Sequence, residues 1–173
     1  MGKLNYLFRI FLFLIPSFLL AQEVTLFQQF NGRYDYLSFG NTLNLEENGA
    51  LNECSILTES SANFQLQANQ QIVAAYLYWA GSGEIDLEVS LNGNSVTAER
   101  EFSLTFSTTT FDYIYFSAFA DVTSIITNIG SDNYTLSELD LLEAIQPYCQ
   151  INGGNATNFG GWGVTVIYED PLL

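Results

Sequence analysis

Alternation of apolar and polar residues is the dominant pattern along this chain. Across residues 84–91 every second residue is apolar and the others are acidic or serine, and a period of two predicts a β-strand with one buried face. Asn92 and Gly93 follow, a dipeptide typical of a two-residue hairpin turn, and residues 95–98 supply the returning strand. The pattern therefore predicts a β-hairpin.

Other segments have the composition of strands. Residues 72–80 are continuously apolar, rich in aromatic and β-branched side chains, and bounded by polar residues and glycines, which is typical of a central strand covered on both faces. Five further strands are predicted at residues 24–30, 63–68, 102–107, 111–119 and 163–168. Short strands joined by Gly, Asn and Ser turns favour an all-β, mainly antiparallel fold, a jelly-roll-like β-sandwich.

One short helix is also predicted. Asp121 is placed to cap residues 122–129, whose apolar side chains share one face, and Gly130 follows at the position that glycine favours after a helix. Residues 134–142 are ambiguous because a helix-capping pattern competes there with strand alternation. We predict a strand followed by a short helical turn before Pro147.

The N-terminus has the composition of a secretion signal. Basic residues precede an apolar run, residues 10–20, that is too short to span a bilayer as a helix. We predict cleavage between Ala21 and Gln22, so that residues 1–21 form a signal peptide and residues 22–173 a single β-sandwich domain. The mature chain would then have no transmembrane segment; an uncleaved membrane anchor is the alternative.

The charged residues exclude several classes of function. The 173 residues include 4 Lys+Arg, 19 Asp+Glu and no His, for a formal net charge of -15. Without histidine, Ser-His-Asp and Cys-His catalysis and His-ligated zinc are excluded. The negative charge argues against binding nucleic acid, whose phosphates are neutralised by Lys and Arg. A hydrophobic content of 48% argues against a disordered acidic chain.

The chain contains two cysteines, Cys54 and Cys149. In an exported protein such a pair favours one disulfide, which would close a loop of about 95 residues and contribute roughly 4 kcal/mol in the chain-entropy model. Two free thiols are the alternative. A catalytic thiol is disfavoured because no histidine is present to activate it.

Three acidic residues of the predicted hairpin, Glu84, Asp86 and Glu88, would project from one face of one strand, about 7 Å apart. Carboxylates at that spacing can bind Ca²⁺ or serve as an acid/base pair in a glycosidase. Side chains spread along a strand diverge, however, whereas calcium requires about six to eight converging oxygens. A solvated strand face is therefore the preferred interpretation.

Loop residues are better candidates for binding a cation. Oxygen-rich side chains occur at residues 131–133, 152–158 and 169–170. None of these segments matches the EF-hand pattern, and turn chemistry explains the same Asn, Asp and Gly residues. We therefore predict no cofactor, with Ca²⁺ as the one that the sequence leaves open, and no catalytic residues.

Aromatic residues raise the alternative of a carbohydrate-binding surface, because exposed Tyr and Trp stack on sugars. Tyr76, Tyr78, Trp79 and Trp162 lie in apolar strand contexts, where core packing is their ordinary role. We therefore predict that these four residues pack in the core.

Four spaced segments and the two cysteines resemble a known family. The segments are residues 27–32 (FQQFNG), 74–81 (AAYLYWAG), 120–123 (ADVT) and 160–170 (GGWGVTVIYED). In this order they resemble the N-terminal domain of large exported surface proteins of gliding bacteria, which are associated with gliding motility and carry a C-terminal type IX secretion sorting domain. Cys54 and Cys149 also fall where the paired cysteines of that domain are expected.

The resemblance implies a non-enzymatic, adhesin-like β-domain of a secreted or cell-surface protein. Its expected partners are surface polysaccharide or other cell-surface components. Members of the family continue into further β-modules and the sorting domain, so the chain is expected to be the N-terminal part of a longer protein. A product ending at Leu173 would instead be delivered to the periplasm by its signal peptide.

Two other functions are left open by the residues themselves. The first is a carbohydrate- or calcium-binding module of a secreted protein. The second is a carboxylate-dependent hydrolase, which requires two acids converging in one cleft, about 5–10 Å apart.

Overall fold

The computed structural model describes residues 26–49 and 52–173. The chain divides into two units, Met1–Phe30 and Asn31–Leu173. Within the first unit, residues 26–30 have no regular secondary structure, so the predicted strand at 24–30 is wrong for the part that is described. The predicted signal peptide and its cleavage site, Ala21 and Gln22, lie outside the described residues.

The second unit contains nine strands among the residues described. Their bounds in chain order are β1 Tyr34–Thr42, β2 Glu59–Phe64, β3 Gln71–Ser82, β4 Glu88–Leu91, β5 Asn94–Thr97, β6 Arg100–Ser107, β7 Asp112–Asp121, β8 Asp132–Ser137 and β9 Gly160–Glu169. They form a five-stranded sheet in the order β1-β9-β3-β7-β6 and a four-stranded sheet in the order β2-β8-β4-β5. All the strand pairings are antiparallel.

These sheets confirm the predicted all-β sandwich. When β6 is set aside, the remaining strands have the order of an eight-stranded jelly roll, four strands in each sheet. β6 is an added strand at one edge. This topology is built from connections between the two sheets, so residues distant in sequence are brought together where the loops meet.

The central strand β3 shows how the core is organised. Leu77 and Trp79 face the interior and are almost completely buried. Leu77 lies between Ala120 of β7 and Val164 of β9. The opposite face carries Tyr76, which is buried, and Tyr78, which is 46% exposed. The prediction of a central strand is confirmed, but its cover on the outer face is incomplete.

Two strands differ from the sequence prediction: β1 has no predicted counterpart, and β2 lies earlier in the chain than predicted. β1 is not predicted because only Leu37 and Phe39 among its residues are apolar and packed inward, and an exposed aromatic, Tyr36, comes directly before them and obscures the alternation. β2 was placed at residues 63–68 but ends at Phe64, because its inward positions begin with Ser60, a polar residue that carries no apolar signal. Ser60 is nevertheless buried and accepts a hydrogen bond from Trp162 Nε1 (2.9 Å).

The predicted hairpin is confirmed only in its second half. β4 begins at Glu88 rather than at residue 84, and β5 returns after the Asn92-Gly93 turn. Residues 84–87 turn away from the strand direction because Gly83 adopts a φ of 118°, in the left-handed region that favours glycine. The Asp86 carboxylate then accepts the Glu88 N–H (3.2 Å), a local bond typical of turns.

The helix α1 spans Thr123–Ile129, with Val122 as its N-cap residue. The predicted Asp121 cap is therefore one position early, although the Asp121 carboxylate still accepts the Thr123 N–H (2.8 Å). Gly130 ends the helix at a φ of 77° and donates its N–H to Ile126, as predicted. After β8, residues 142–145 form turns and a 3₁₀ helix spans Gln146–Tyr148, which confirms a strand followed by a helical turn.

Cys54 and Cys149 form the predicted disulfide, with their Cα atoms 5.6 Å apart. Cys54 lies in the connection between β1 and β2, and Cys149 lies between the 3₁₀ helices Gln146–Tyr148 and Gln150–Asn152. Cys149 is buried against the core. The bond therefore ties two long connections to the same side of the core.

Tyr134 of β8 makes the stability of the fold sensitive to alkaline pH. Its side chain is fully buried, and its hydroxyl donates to the Gly130 C=O (2.7 Å). Burial, together with the nearby charge of Asp132, raises its pKa to about 12. Because the folded pKa exceeds the unfolded value of about 10, stability is complete below pH 10 and is lost as the pH rises to 12, by about 2–3 kcal/mol.

Urea denaturation at several pH values between 8 and 12 measures this loss. Tyr134→Phe is expected to cost about 1 kcal/mol at pH 8, because one hydrogen bond is removed, and to have a flatter decline above pH 10. If the variant and the wild type decline in parallel, Tyr134 is not the titrating group.

Candidate functional site: an acidic cleft with an aromatic floor

A cleft of about 670 Å³ lies where three separate segments of the second unit meet. The segments are the connection between β3 and β4, the start of β7, and the connection that follows β8. Clefts of about 300–1,000 Å³ are the usual size for small-ligand sites in proteins. Its volume lies in this range, and its lining combines carboxylates with aromatic rings, so this cleft is the candidate functional site.

Carboxylates form the rim of the cleft. They belong to Glu84, Asp86, Asp112, Asp140 and Glu143, and no lysine or arginine is among its described lining residues. All except Asp86 are exposed. Acids of one sign around a concave surface concentrate negative potential there, so the cleft favours neutral or cationic ligands over anions.

Asp86 holds the rim together. One of its carboxylate oxygens accepts the Glu88 N–H and the other accepts the Asp140 N–H (3.3 Å). Its own C=O accepts the indole N–H of Trp79 (2.8 Å), which is buried in the core. Asp86 therefore joins two rim segments to the sandwich, and its carboxylate serves the structure of the rim.

Aromatic rings form the floor. Tyr148 is 2% exposed, and its hydroxyl donates to the Ile114 C=O (2.7 Å) and accepts the Ile114 N–H (2.8 Å). Phe111 meets the Tyr148 ring edge-on, with centroids 6.1 Å apart, and remains 40% exposed. Burial raises the pKa of Tyr148, so its hydroxyl stays protonated at neutral pH. The floor is thus a rigid apolar surface with one accessible ring.

The structure corrects the predicted acidic strand face. Glu84, Asp86 and Glu88 do not lie on one face of one strand: Glu84 and Asp86 line the cleft, whereas Glu88 begins β4 in solvent. The turn at Gly83 separates them from the strand. Among the residues described, no three acidic or cysteine side chains come close enough to hold a metal ion.

The three loop segments considered as candidate cation sites use their oxygens for local hydrogen bonds. Asp132 accepts the Asn133 N–H (2.8 Å). Asn155 accepts the Thr157 hydroxyl and donates to the Tyr115 hydroxyl (3.1 Å). Asp170 accepts from the Gln70 side chain (2.8 Å), which is the main cause of its lowered pKa. Turn and loop chemistry thus accounts for these residues.

The predicted core aromatics are confirmed at three positions. Trp79, Trp162 and Tyr76 are buried, and the two indole N–H groups have the hydrogen bonds to Asp86 and Ser60 described above. Tyr78 is the exception. It lies on the outer face of the five-stranded sheet, packs edge-on against Phe119 at 5.2 Å, and is nearly half exposed.

Sequence reasoning missed most of the cleft. Asp112, Asp140 and Glu143 come from segments that are separated from Glu84 by 28 residues or more, and no spacing rule joins them. One local signal was present, because Asp112 adjoins the exposed Phe111 at the beginning of a strand. Binding residues often lie in the loops next to strand ends, but this signal does not identify the other members of a site.

No helix among residues 26–49 and 52–173 is long and apolar enough to cross a bilayer.

Comparisons with protein-family models, curated proteins and solved structures gave no match to the chain. The geometry of the cleft and the sequence resemblance therefore carry the functional argument.

Proposed function

We propose that the chain is a non-enzymatic, adhesin-like β-domain of an exported bacterial surface protein associated with gliding motility, and that it binds surface polysaccharide in the acidic cleft. The motif resemblance supports the exported surface context. The observation that carries the binding role is the cleft itself, with five carboxylates around an aromatic floor.

Sugars suit both parts of this surface. Carboxylate oxygens accept hydrogen bonds from sugar hydroxyls, and an accessible ring such as Phe111 can pack against the C–H face of a pyranose. The negative rim disfavours uronic acid and sulfated chains, because like charges would be brought together. The expected ligand is therefore a neutral or amino-sugar oligosaccharide of a few rings.

The arrangement of the acids supports binding rather than hydrolysis. A glycosidase requires one carboxyl group held protonated and a second in ionised form across the scissile bond. Four of the five rim acids are exposed, and both oxygens of Asp86 accept backbone N–H groups. Exposed acids and an Asp86 carboxylate engaged by backbone N–H groups favour recognition of sugar hydroxyls over acid/base chemistry.

Calorimetric titration of the purified protein with neutral, amino-sugar and uronic acid oligosaccharides tests the proposal. Phe111→Ala is expected to weaken binding of the preferred sugar at least about tenfold, the loss of one stacking contact. Tyr36→Ala is the matched control, because Tyr36 is an exposed aromatic of β1 outside the cleft lining. The affinity of this variant for the sugar is expected to stay unchanged.

Two further observations complete the test. EDTA is expected to leave the affinity unchanged, since no described acids converge on a metal position. Chromatography of the oligosaccharides after long incubation is expected to show them intact. Binding of no sugar in any class contradicts the proposed ligand, and release of new reducing ends contradicts the non-enzymatic role.

A further inference from the structure

The added strand β6 leaves an open edge on the five-stranded sheet. Every residue of β6 is exposed, including Phe102 (50%), Leu104 (67%) and Phe106 (57%). Natural edge strands are usually protected by charged residues, proline or a bulge. The only charged residues of β6 are Arg100 and Glu101 at its start. Residues 102–107 contain no charge and no proline, and β6 pairs with β7 without a register shift.

The three apolar side chains of β6 share one face. Phe102, Leu104 and Phe106 lie opposite Ser117, Tyr115 and Tyr113 of β7. This is the outer face of the sheet, since the intervening β7 residues Phe116 and Ala118 point into the core. Between the apolar residues, Ser103 and Thr105 point to the other face.

The backbone of β6 also directs hydrogen-bonding groups toward the open edge, where a further strand could pair. The Thr108 N–H bonds to the Phe111 C=O (3.0 Å), and in an antiparallel ladder the bonded pairs recur every second residue. The backbone groups of Phe102, Leu104 and Phe106 are therefore directed at β7. Those of the alternate residues, Ser103 and Thr105 among them, are directed at the open edge.

The sequence of β6 is symmetric about Leu104. Residues 102–106 read Phe-Ser-Leu-Thr-Phe, so the order of residue types is the same from both ends. In an antiparallel pairing of two copies about Leu104, Phe102 lies opposite Phe106 of the second copy and Leu104 lies opposite Leu104. Ser103 lies opposite Thr105, a hydroxyl pair that can hydrogen-bond across strands.

We propose that β6 docks a second copy of this chain, by antiparallel pairing of the two β6 strands about Leu104 into one continuous sheet. A two-fold axis requires a self-complementary surface, which the symmetric sequence provides. The edge-directed groups from Glu101 to Ser107 would form about eight backbone hydrogen bonds between the copies. Glu101 lies opposite Ser107, so no carboxylate directly faces another.

The charge and size of this interface predict its behaviour. Each copy carries a net charge of -15, so salt, which screens repulsion between the copies, is expected to strengthen dimerisation. The three side chains offer roughly 300 Å² of exposed apolar surface per copy, since an aromatic residue buries about 150–250 Å² at most. This apolar area is smaller than the roughly 600 Å² per partner of the smallest stable interfaces, which indicates a weak, concentration-dependent monomer–dimer equilibrium.

Sedimentation velocity of the purified protein over a concentration series, at low and at high salt, tests the pairing. The wild type is expected to dimerise more tightly at high salt. Thr105→Pro removes an edge-directed N–H without touching a bond to β7, and proline is tolerated on edge strands; it is expected to weaken dimerisation at least tenfold. Thr105→Val, the matched control, keeps the N–H and is expected to dimerise.

Cysteine cross-linking tests the register. Leu104→Cys is expected to form a disulfide-linked dimer on mild oxidation, since facing residues of neighbouring strands lie within disulfide range. Phe102→Cys alone is not expected to form a disulfide-linked dimer, because position 102 of one copy would be about 13 Å from position 102 of the other. A mixture of Phe102→Cys and Phe106→Cys is expected to form one, because these two positions face each other. A wild type that stays monomeric at all concentrations, a Thr105→Pro dimer as tight as wild type, or self-linking of Phe102→Cys would each overturn the proposal.

Discussion

Replacing Cys54 and Cys149 together by alanine is expected to lower the free energy of unfolding by about 3–5 kcal/mol. The two cysteines are 95 residues apart in sequence, so their bond removes much of the freedom of the unfolded chain. The loss includes a packing contribution, because Cys149 is buried in the core and alanine leaves a small cavity. Urea denaturation of the two proteins, monitored by tryptophan fluorescence, measures the difference.

Reduction provides the control for the disulfide prediction. The wild type treated with reductant is expected to approach the stability of the double variant, whereas the double variant is expected to be insensitive to reductant. The difference in free energy of unfolding between the reduced wild type and the double variant measures the contribution of side-chain packing at the two positions. A loss below about 1 kcal/mol in both would mean that the unfolded chain gains little freedom when the bond is absent.

The parts of the fold that could be predicted are those whose signal is local. β3, β7 and β9 are long and apolar because they lie in the interior of one sheet, and pattern alone placed them. β1 and β2 lie at sheet edges and face the core with few apolar side chains, so their alternation is weak. The disulfide could be predicted because a chain with two cysteines offers only one intramolecular pairing.

The cleft could not be predicted because its residues are joined by topology. A jelly roll moves the chain repeatedly from one sheet to the other, and Asp86, Asp112 and Asp140 meet only when those connections are made. Asp86 was assigned to a strand because its neighbours alternate. The left-handed turn at Gly83 overrides that pattern, and it is the turn that places Asp86 in the rim.

Trp79→Phe is expected to lower the free energy of unfolding by about 2–4 kcal/mol. Trp79 is 1% exposed at the centre of β3, so the smaller ring leaves a cavity between the sheets. The substitution also removes the indole N–H that the Asp86 C=O accepts, which leaves that carbonyl without its core partner. Chemical denaturation measures the overall loss.

Trp162→Phe separates the effect on the core from the effect on the cleft. Trp162 lies opposite Trp79 on β9 and donates to Ser60 rather than to the rim, so its substitution is expected to cost a similar amount of stability. Only Trp79→Phe is expected to accelerate amide hydrogen exchange of Glu88 and Asp140, whose N–H groups the Asp86 carboxylate accepts, because only Trp79 anchors Asp86. Equal exchange in the two variants would show that the Asp86 carboxylate alone holds the rim. Faster exchange confined to Trp79→Phe would show that one indole N–H transmits the order of the core to the surface where a ligand is expected to bind.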